Sequence, residues 1–191
     1  MPKLAIAQNR EADDLLSSSP LALLIGLVLD QQIPLEKAFT APLLLSQRLG
    51  RELDASYIAS LDPGELEKIF SEKPALHRFP AAMAKRVQEV CSTVSKSYGN
   101  DASQIWQNVK DGTELLNRIK KLPGFGEMKA KIFVALLGKQ MGVNVPEWRK
   151  VSEPFGEPGS FRSIADITGT DSLARVREFK TEMKAKSKAH K

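Results

Sequence analysis

Leu122-Pro123-Gly124-Phe125-Gly126 is a turn between two apolar repeats, and this stretch decides the fold. Before the turn, apolar residues recur at the spacing of a helix: Leu115, Leu116, Ile119 and Leu122. After the turn, the same spacing relates Met128, Ile132, Phe133, Leu136 and Leu137. Thr113 is placed to cap the first helix, and Gly138 is a natural stop for the second. The pattern predicts two short helices across residues 113–138 that meet at a tight corner.

The corner has the chemistry of an anion site. Its second helix begins directly after Gly126, so unpaired backbone N–H groups and the positive end of the helix dipole are available there. Glycine lets another backbone approach closely, and Lys129 and Lys131 add positive charge one turn into the helix. These features predict a grip on phosphate that reads no base. On spacing alone, an ordinary αα-hairpin with glycine at its corner is an equally good interpretation.

The order Leu-Pro-Gly-Phe-Gly, two further residues and then Lys129-Ala130 closely resembles a known signature. It is similar to the helix-hairpin-helix motif of the DNA glycosylase superfamily (HhH-GPD), usually Leu-Pro-Gly-Val-Gly. A second stretch, Leu29-Asp30-Gln31-Gln32, resembles the Leu-Ser-x-Gln segment of endonuclease III-like enzymes and the Leu-Gln-Gln segment of adenine glycosylases. The resemblance covers roughly residues 20–155 and implies double-stranded DNA as the partner. At the hairpin it assigns these residues to the DNA contact: Pro123, Gly124, Phe125, Gly126, Lys129 and Lys131.

The resemblance implies an all-α, two-lobed fold. A central helical-barrel lobe would comprise residues 20–124, and a terminal lobe would combine residues 1–19 with residues 125–191. The hairpin would lie at the junction, with DNA in the groove between the lobes. The all-α class also follows from the residues themselves, because no run alternates convincingly at period two while helical spacing recurs along the chain.

Outside the hairpin, capping residues and apolar spacing predict several further helices. Ser19 and Pro20 predict the cap and first turn of an apolar, buried helix that ends at Asp30. Asp54, Asp62 and Asp171 are expected to cap three further helices. Other helices are predicted at residues 10–16, at residues 33–49 and from residue 80 to near residue 99.

Two loops are assigned to DNA by the resemblance. In the family, a Gln or Asn at the position of Gln31 and Gln32 fills the gap left by an extruded base, and excision from a duplex requires such a device. The loop Leu76-His77-Arg78 resembles the family's wedge loop, with Leu76 entering the duplex and Arg78 on a phosphate. The residues alone also fit glutamines that bond loop backbone, and a surface loop with Leu76 tucked onto the core.

The sequence departs from the family at its reactive centre. Bifunctional members carry a nucleophilic lysine two residues after the last hairpin glycine, where this chain has Met128. Lys129 is one residue further and is turned about 100° around the helix, so the resemblance implies no Schiff-base lyase. The catalytic Asp of most active members falls at Val145, which lies between Asn144 and Pro146.

A relocated carboxylate would have to replace that Asp. Hydrolysis of an N-glycosidic bond requires an anion near the cationic sugar and usually a base for water. The candidates, in order, are Asp30 beside the glutamine pair, Glu147 close to Val145, and Glu36 one turn into the next helix. Burial at the end of an apolar helix predicts a raised pKa for Asp30 unless Arg or Lys pairs with it. Each carboxylate also fits a plain role in solvation or capping.

The composition is that of a globular protein and excludes several kinds of cysteine-based site. With 191 residues, 42% of them hydrophobic and 27% charged, the chain has the make-up of a soluble globular protein. Its single cysteine, Cys91, excludes an internal disulfide, a four-cysteine iron–sulfur cluster and a thiolate-rich zinc site, and is expected to be a small buried hydrophobe. We expect no metal and no cofactor. No signal-peptide pattern occurs, and the apolar run of residues 21–29 is too short to span a bilayer, so we expect a cytoplasmic monomer without membrane contact.

The positive charge is concentrated at the C-terminus. The net charge of +5 equals the charge of residues 175–191 alone, where seven Lys and Arg residues outnumber two Glu residues. This basic tail suits a polyanion. A frayed, solvated terminus is an equally good interpretation.

Three functions follow from these patterns. We expect a base-excision repair enzyme, a monofunctional DNA glycosylase that hydrolyses the N-glycosidic bond of an extruded damaged or mismatched base. The alternative is a non-catalytic DNA-binding protein that recognises damaged or bent duplex. The third is a helical protein-interaction module in which the Pro-Gly corner is accidental.

Overall fold

The computed structural model describes residues 2–190, and every regular element in that range is helical. The α-helices are α1 (Arg10–Ser18), α2 (Pro20–Leu29), α3 (Leu35–Leu49), α4 (Ala55–Ser60), α5 (Pro63–Ser71), α6 (Pro80–Ser97), α7 (Gly112–Lys120), α8 (Glu127–Gln140), α9 (Trp148–Val151) and α10 (Thr170–Ala189). Short 3₁₀ helices occur at Ala102–Ile105 and Ile164–Asp166. The all-α prediction is confirmed.

No single helix within residues 2–190 is long and apolar enough to cross a membrane. Helices α1 and α2 meet such a criterion only as a pair, by length and composition, and the chain bends by 116° between them.

Several predicted helix starts are confirmed by their caps. The Ser19 hydroxyl accepts a hydrogen bond from the backbone N–H of Ala22 at 3.1 Å, and Pro20 occupies the first turn of α2. The Asp54 carboxylate accepts from the N–H of Tyr57 at 2.7 Å and so caps α4. The Asp62 carboxylate caps α5 in the same way.

Three predicted helix ends are wrong, each for a local reason. Helix α7 is capped by Asp111, whose carboxylate accepts from the N–H of Glu114 at 2.9 Å, so Thr113 lies inside the helix. Helix α10 is capped by Gly169, and the hydroxyl of Ser172, inside the helix, accepts the N–H of Gly169 at 3.0 Å, so Asp171 is not the cap. Helix α8 continues to Gln140 and does not stop at the predicted glycine.

Helix α2 is the centre of the core. All nine residues from position 21 to position 29 are buried, and α2 packs against α1, α3 and α6. Each fully buried Leu, Ile or Val side chain contributes about 1.5–3 kcal/mol to the free energy of unfolding. The thiol of Cys91 is also buried, which raises its pKa to about 12 and confirms it as a small hydrophobic core residue. The position of α2 therefore determines where its polar C-terminal end emerges.

Gly138 permits a close contact at the C-terminal half of α8. A Cβ atom at this position would lie 2.5 Å from Cε3 of Trp148, so only glycine leaves room for the indole ring. The backbone of Trp148 also approaches Gly112 of α7, whose N–H donates to the carbonyl oxygen of Pro146 at 2.8 Å. Trp148 thereby joins α7, α8 and α9 at the end of the hairpin remote from its turn.

The C-terminal segment is attached to α8 by buried polar contacts. The Lys139 ammonium pairs with the Asp166 carboxylate, whose side chain is almost completely buried. The Gln140 amide donates to the carbonyl oxygen of Ala165 at 2.8 Å and to that of Ile167 at 3.2 Å. Helix α10 begins a few residues after the 3₁₀ helix at Ile164–Asp166, so these contacts also fix the start of α10 relative to α8.

Gly138→Ala is expected to destabilise the protein by about 1–3 kcal/mol, because the added methyl group overlaps the Trp148 ring. The direction of the change in the free energy of unfolding identifies the cause, since Gly→Ala inside a helix otherwise stabilises a protein by about 0.5–1 kcal/mol. Urea unfolding followed by circular dichroism measures the change. Gly126→Ala, where no atom lies within 4 Å of the added Cβ, is the control and should leave the midpoint nearly unchanged. A stabilised Gly138→Ala variant would contradict the described packing of Trp148.

Candidate nucleic-acid interface and catalytic carboxylate

The hairpin turn, residues 121–126, is held by Phe125. Its ring is buried, with its centroid 6.2 Å from that of Phe133 on α8, and its N–H donates to the carbonyl oxygen of Leu122 at 3.1 Å. Gly124 adopts the left-handed conformation, with φ of +81°. The ring of Phe125 is therefore an anchor of the turn, and the assignment of this residue to the DNA contact stays a prediction. Gly124 and Gly126 are exposed and Pro123 is partly exposed, so these three residues remain accessible.

The start of α8 presents free backbone donors. Gly126 has an extended backbone and provides no side-chain cap. Within residues 2–190, no acceptor bonds the backbone N–H groups of Glu127, Met128 and Lys129. Met128 is 68% exposed. The turn therefore ends in a solvent-facing group of N–H donors, which is the arrangement that favours an anion.

Lys129 is partly buried and its ammonium is directed to α2, while its role on phosphate stays a prediction. Its ammonium donates to the carbonyl oxygen of Val28 at 3.4 Å and lies 5.9 Å from the centroid of the Phe125 ring. Burial lowers the pKa of Lys129, although the nearby Asp30 opposes this shift. The lysine places its charge at the C-terminal end of α2, where the helix dipole favours a cation. Lys131 is partly exposed and pairs with Glu127 at 3.8 Å.

Asp30 is the C-cap residue of α2. Its N–H donates to the carbonyl oxygen of Gly26 at 3.0 Å, and its carboxyl group is largely removed from water. Burial raises the pKa of Asp30, and the positive charges of Lys180 and Lys129 oppose this shift without cancelling it. The predicted raised pKa is confirmed. A carboxyl group with an elevated pKa beside a desolvated lysine is typical of functional sites.

The two glutamines after Asp30 have different environments. The Gln31 amide donates to the carbonyl oxygen of Val28 at 2.9 Å, so Gln31 bonds local backbone. Gln32 is exposed and has a φ of +58°. A left-handed backbone is uncommon for glutamine and costs about 1 kcal/mol or more. Gln32 is thus the glutamine of this pair whose side chain is accessible from solvent.

His77 connects the turn after α2 to the loop before α6. The N–H of Phe79 donates to Nδ1 of His77 at 3.0 Å, so Nε2 carries the proton and donates to the carbonyl oxygen of Gln31 at 2.9 Å. The ring is 1% exposed, and burial lowers its pKa, which favours the neutral form. The assignment of His77 to DNA is therefore corrected: its ring is an internal brace.

Phe79 takes the surface position expected for Leu76. The Leu76 side chain is 1% exposed and packs in the core, which corrects its assignment as a wedge. The Phe79 side chain is 42% exposed, and the Arg78 guanidinium lies 5.3 Å from its ring centroid. Arg78 is itself exposed, so it remains available to an anion. The signal for Phe79 was its position directly before Pro80, where an extended backbone is favoured.

Glu147 lies far from Asp30. It is exposed, precedes α9 with a φ of +62°, and pairs with Lys150 at 3.8 Å. The adjacent Trp148 packs on Gly138, which is about 18 Å along α8 from Gly126. Because Lys129 and Asp30 are at the opposite end of α8, the structure does not bring Glu147 to them. Val145 is partly buried and packs against the core.

Glu36, the third candidate carboxylate, forms an ion pair with Arg177 of α10. Its second carboxylate oxygen, Oε2, is buried without a hydrogen-bond partner among the described residues. Glu36 also lines a cavity of about 380 Å³ between α3 and the loop that carries Leu76. The ion pair places α10 beside the turn between α2 and α3.

Arg86 of α6 lies against the hairpin turn and was not among the predicted residues. A Cβ atom on Gly124 would lie 2.5 Å from Nη1 of Arg86, and the guanidinium also approaches Glu89 at 3.5 Å. Its charge adds to the effects that lower the pKa of Lys129. The sequence held no signal for this contact, because Arg86 on α6 and Gly124 in the hairpin turn are distant along the chain.

Within residues 2–190, no three His, Cys, Asp or Glu side chains come together as metal ligands. No protein-family model matches the chain, and comparisons with curated proteins and with solved structures also give no match. The function must therefore be argued from the residues and their geometry.

Asp30→Asn is expected to stabilise the protein at neutral pH. The pKa of Asp30 is raised above its unfolded value of 3.8, so folding disfavours the ionised form, and the wild type loses stability as pH rises through the folded pKa. The melting temperature of Asp30→Asn should exceed that of the wild type at pH 7, and the difference should disappear as pH falls below about 3.8. Glu147→Gln, at an exposed carboxylate, should change little. A lower melting temperature for Asp30→Asn at pH 7 would show that its carboxylate is stabilised by the two lysines.

Proposed function

We propose that this protein acts in base-excision DNA repair as a monofunctional DNA glycosylase, hydrolysing the N-glycosidic bond of an extruded damaged or mismatched base. One observation carries the proposal: Lys129 of the hairpin helix bonds the carbonyl oxygen of Val28, 101 positions away in the sequence. The hairpin turn and the Asp30-Gln31-Gln32 segment, which supply the two sequence matches to HhH-GPD proteins, are thereby adjacent in space. An accidental Pro-Gly corner does not account for that proximity.

The proposed arrangement of DNA follows from the exposed groups. A backbone phosphate would bind the free N–H groups at the start of α8, with Arg86 beside the turn. Gln32 and Phe79 are exposed side chains on the two loops that His77 joins. Gln32 would occupy the gap left by the extruded base, and Phe79 would enter the base stack as an apolar wedge. The two-lobed division at residues 20–124 and at residues 1–19 with 125–191 belongs to this proposal.

Asp30 supplies the proposed chemistry. Its carboxylate stabilises the cationic sugar while the bond between C1′ and the base nitrogen breaks, and the electron pair leaves with the base. A water oxygen then bonds to C1′, and Asp30 accepts the proton that the water loses. A carboxylate whose pKa is raised is a stronger base than one in water. The positive charge of Lys129 favours the ionised form of the Asp30 carboxyl group.

A binding-only function is the second candidate, and the position of Val145 favours it. Val145 stands where most active HhH-GPD members carry their catalytic Asp, and it is partly buried. Since Glu147 is remote and Glu36 is paired with Arg177, Asp30 is the one predicted carboxylate in reach of the hairpin. Without activity at Asp30, the same surface would recognise damaged or bent duplex.

The catalytic part is tested with a panel of duplexes that each carry one modified base, followed by alkali to cleave abasic sites. We expect Asp30→Asn to abolish base release while leaving duplex affinity unchanged or slightly tighter, because one charge that repels phosphate is lost. Glu147→Gln should keep full activity. If the wild type binds the duplexes and releases no base from any of them, the binding-only function is the correct one.

The hairpin part is tested with Gly126→Val. No atom lies within 4 Å of a Cβ at Gly126 and its backbone is extended, so the valine should disturb the approach of a phosphate without disturbing the fold. We expect duplex affinity to fall about tenfold for all sequences alike, since one charge-assisted hydrogen bond is worth about 1.5–3 kcal/mol. Gly169→Val, at the start of α10, is the matched control and should bind as the wild type does. Equal affinity of wild type and Gly126→Val would remove the hairpin from the interface.

A further inference from the structure

The C-terminal helix carries four of its six Lys and Arg residues on one face. At 100° per residue, Arg177, Lys180, Lys184 and Lys188 fall within a sector of about 80°. These four residues are called the basic stripe. Glu178 and Glu182 lie outside this sector, and Arg175 and Lys186 lie on the opposite side of the helix. The charge of the tail is therefore ordered along the helix and is not spread evenly around it.

One contact and one charge effect place the basic stripe at the candidate site. The contact is the ion pair of Arg177 with Glu36 in the first turn of α3, and the second indication is that the positive charge of Lys180 lowers the pKa of Asp30. Helix α10 thus runs from its attachment near Lys139 on α8 to the C-terminal end of α2, where Lys129 also lies. Lys184 and Lys188 extend the stripe about 6 Å and 12 Å beyond Lys180.

The outer part of the stripe has no partner within the described chain. Every residue from position 180 to position 190 is exposed, and within residues 2–190 no carboxylate forms an ion pair with Lys180, Lys184 or Lys188. A charged helix face that is free of acidic partners and continuous with a site is complementary to a polyanion.

The chemistry of this face favours nucleic acid over a membrane surface. A helix that lies in a membrane interface needs a broad apolar face opposite its charges. From position 180 onward, Met183 is the single large apolar side chain that α10 exposes. Lysines that recur every four residues instead follow a line of phosphates, which succeed one another every few ångström along a duplex strand.

We propose that the basic stripe of α10 binds the phosphate backbone of a nucleic-acid duplex, beside the nucleotide that enters the Asp30 site. This inference rests on the proposed function and adds a second, separate contact to it. The hairpin would hold one stretch of backbone through N–H groups, and α10 would hold another through lysine ammonium groups. Lys180 would join the two, since it belongs to the stripe and its charge acts on Asp30.

Two single variants of the full-length protein test the proposal, with duplex affinity measured at several salt concentrations. Lys184→Gln removes one charge from the stripe, and Lys186→Gln removes the same charge two residues away on the opposite face. We expect Lys184→Gln to reduce the slope of log affinity against log salt by about 0.9 and Lys186→Gln to leave it near the wild-type value. Circular dichroism should show equal helicity for both variants, because both residues are exposed.

The outcomes separate the stripe from the rest of the proposed function. Equal effects of Lys184→Gln and Lys186→Gln would show attraction by total charge alone and would overturn the stripe. Loss of affinity in Gly126→Val with a wild-type slope in Lys184→Gln would keep the hairpin and overturn the stripe. A reduced slope in Lys184→Gln, with Gly126→Val and base release unaffected, would support the stripe and reject the proposed function at the hairpin. If the wild type does not bind duplex, the proposed role of the stripe is overturned, whether or not the protein binds phosphatidylserine vesicles.

Discussion

The bond from the Lys129 ammonium to the carbonyl oxygen of Val28 is the contact on which the site depends. The last carbonyl groups of a helix have no partner inside it, and those of α2 emerge from the most apolar helix of the chain. A polar end of this kind must be satisfied by side chains. Lys129 and Gln31 both donate to Val28, which fixes α8 to α2 and sets the position of Asp30 between them.

Features that cost stability are gathered at this end of α2. Asp30 has a raised pKa, Lys129 has a lowered one, and Gln32 adopts a left-handed backbone. Single features of this kind also occur elsewhere: Glu147 adopts a left-handed backbone, and burial raises the pKa of Asp13. The end of α2 differs from those places because three such features occur together there.

Local chemistry made much of the fold predictable, and long-range packing explains the failures. The starts of α2, α4 and α5 followed from Ser19, Asp54 and Asp62, because a cap acts within three residues. The raised pKa of Asp30 followed from its place at the end of an apolar helix. Which side of a loop faces the core depends on the neighbouring helices, so the sequence left burial of Leu76 as one of two interpretations and did not reveal that of Phe125. The approach of Lys180 to Asp30 joins residues 150 positions apart and left no local signal.

The brace formed by His77 has a consequence for the entropy of recognition. Its ring bonds the backbone of Gln31 on one side and that of Phe79 on the other, so two surface loops are held as one rigid piece. Loops that are ordered before a partner arrives lose little conformational freedom on contact, which strengthens association without any additional contact. A brace made of a neutral ring also adds no charge that a partner would have to desolvate. Preorganisation at this surface is therefore a property of the core side of the loops, where His77 lies, and is separate from the residues that the surface displays.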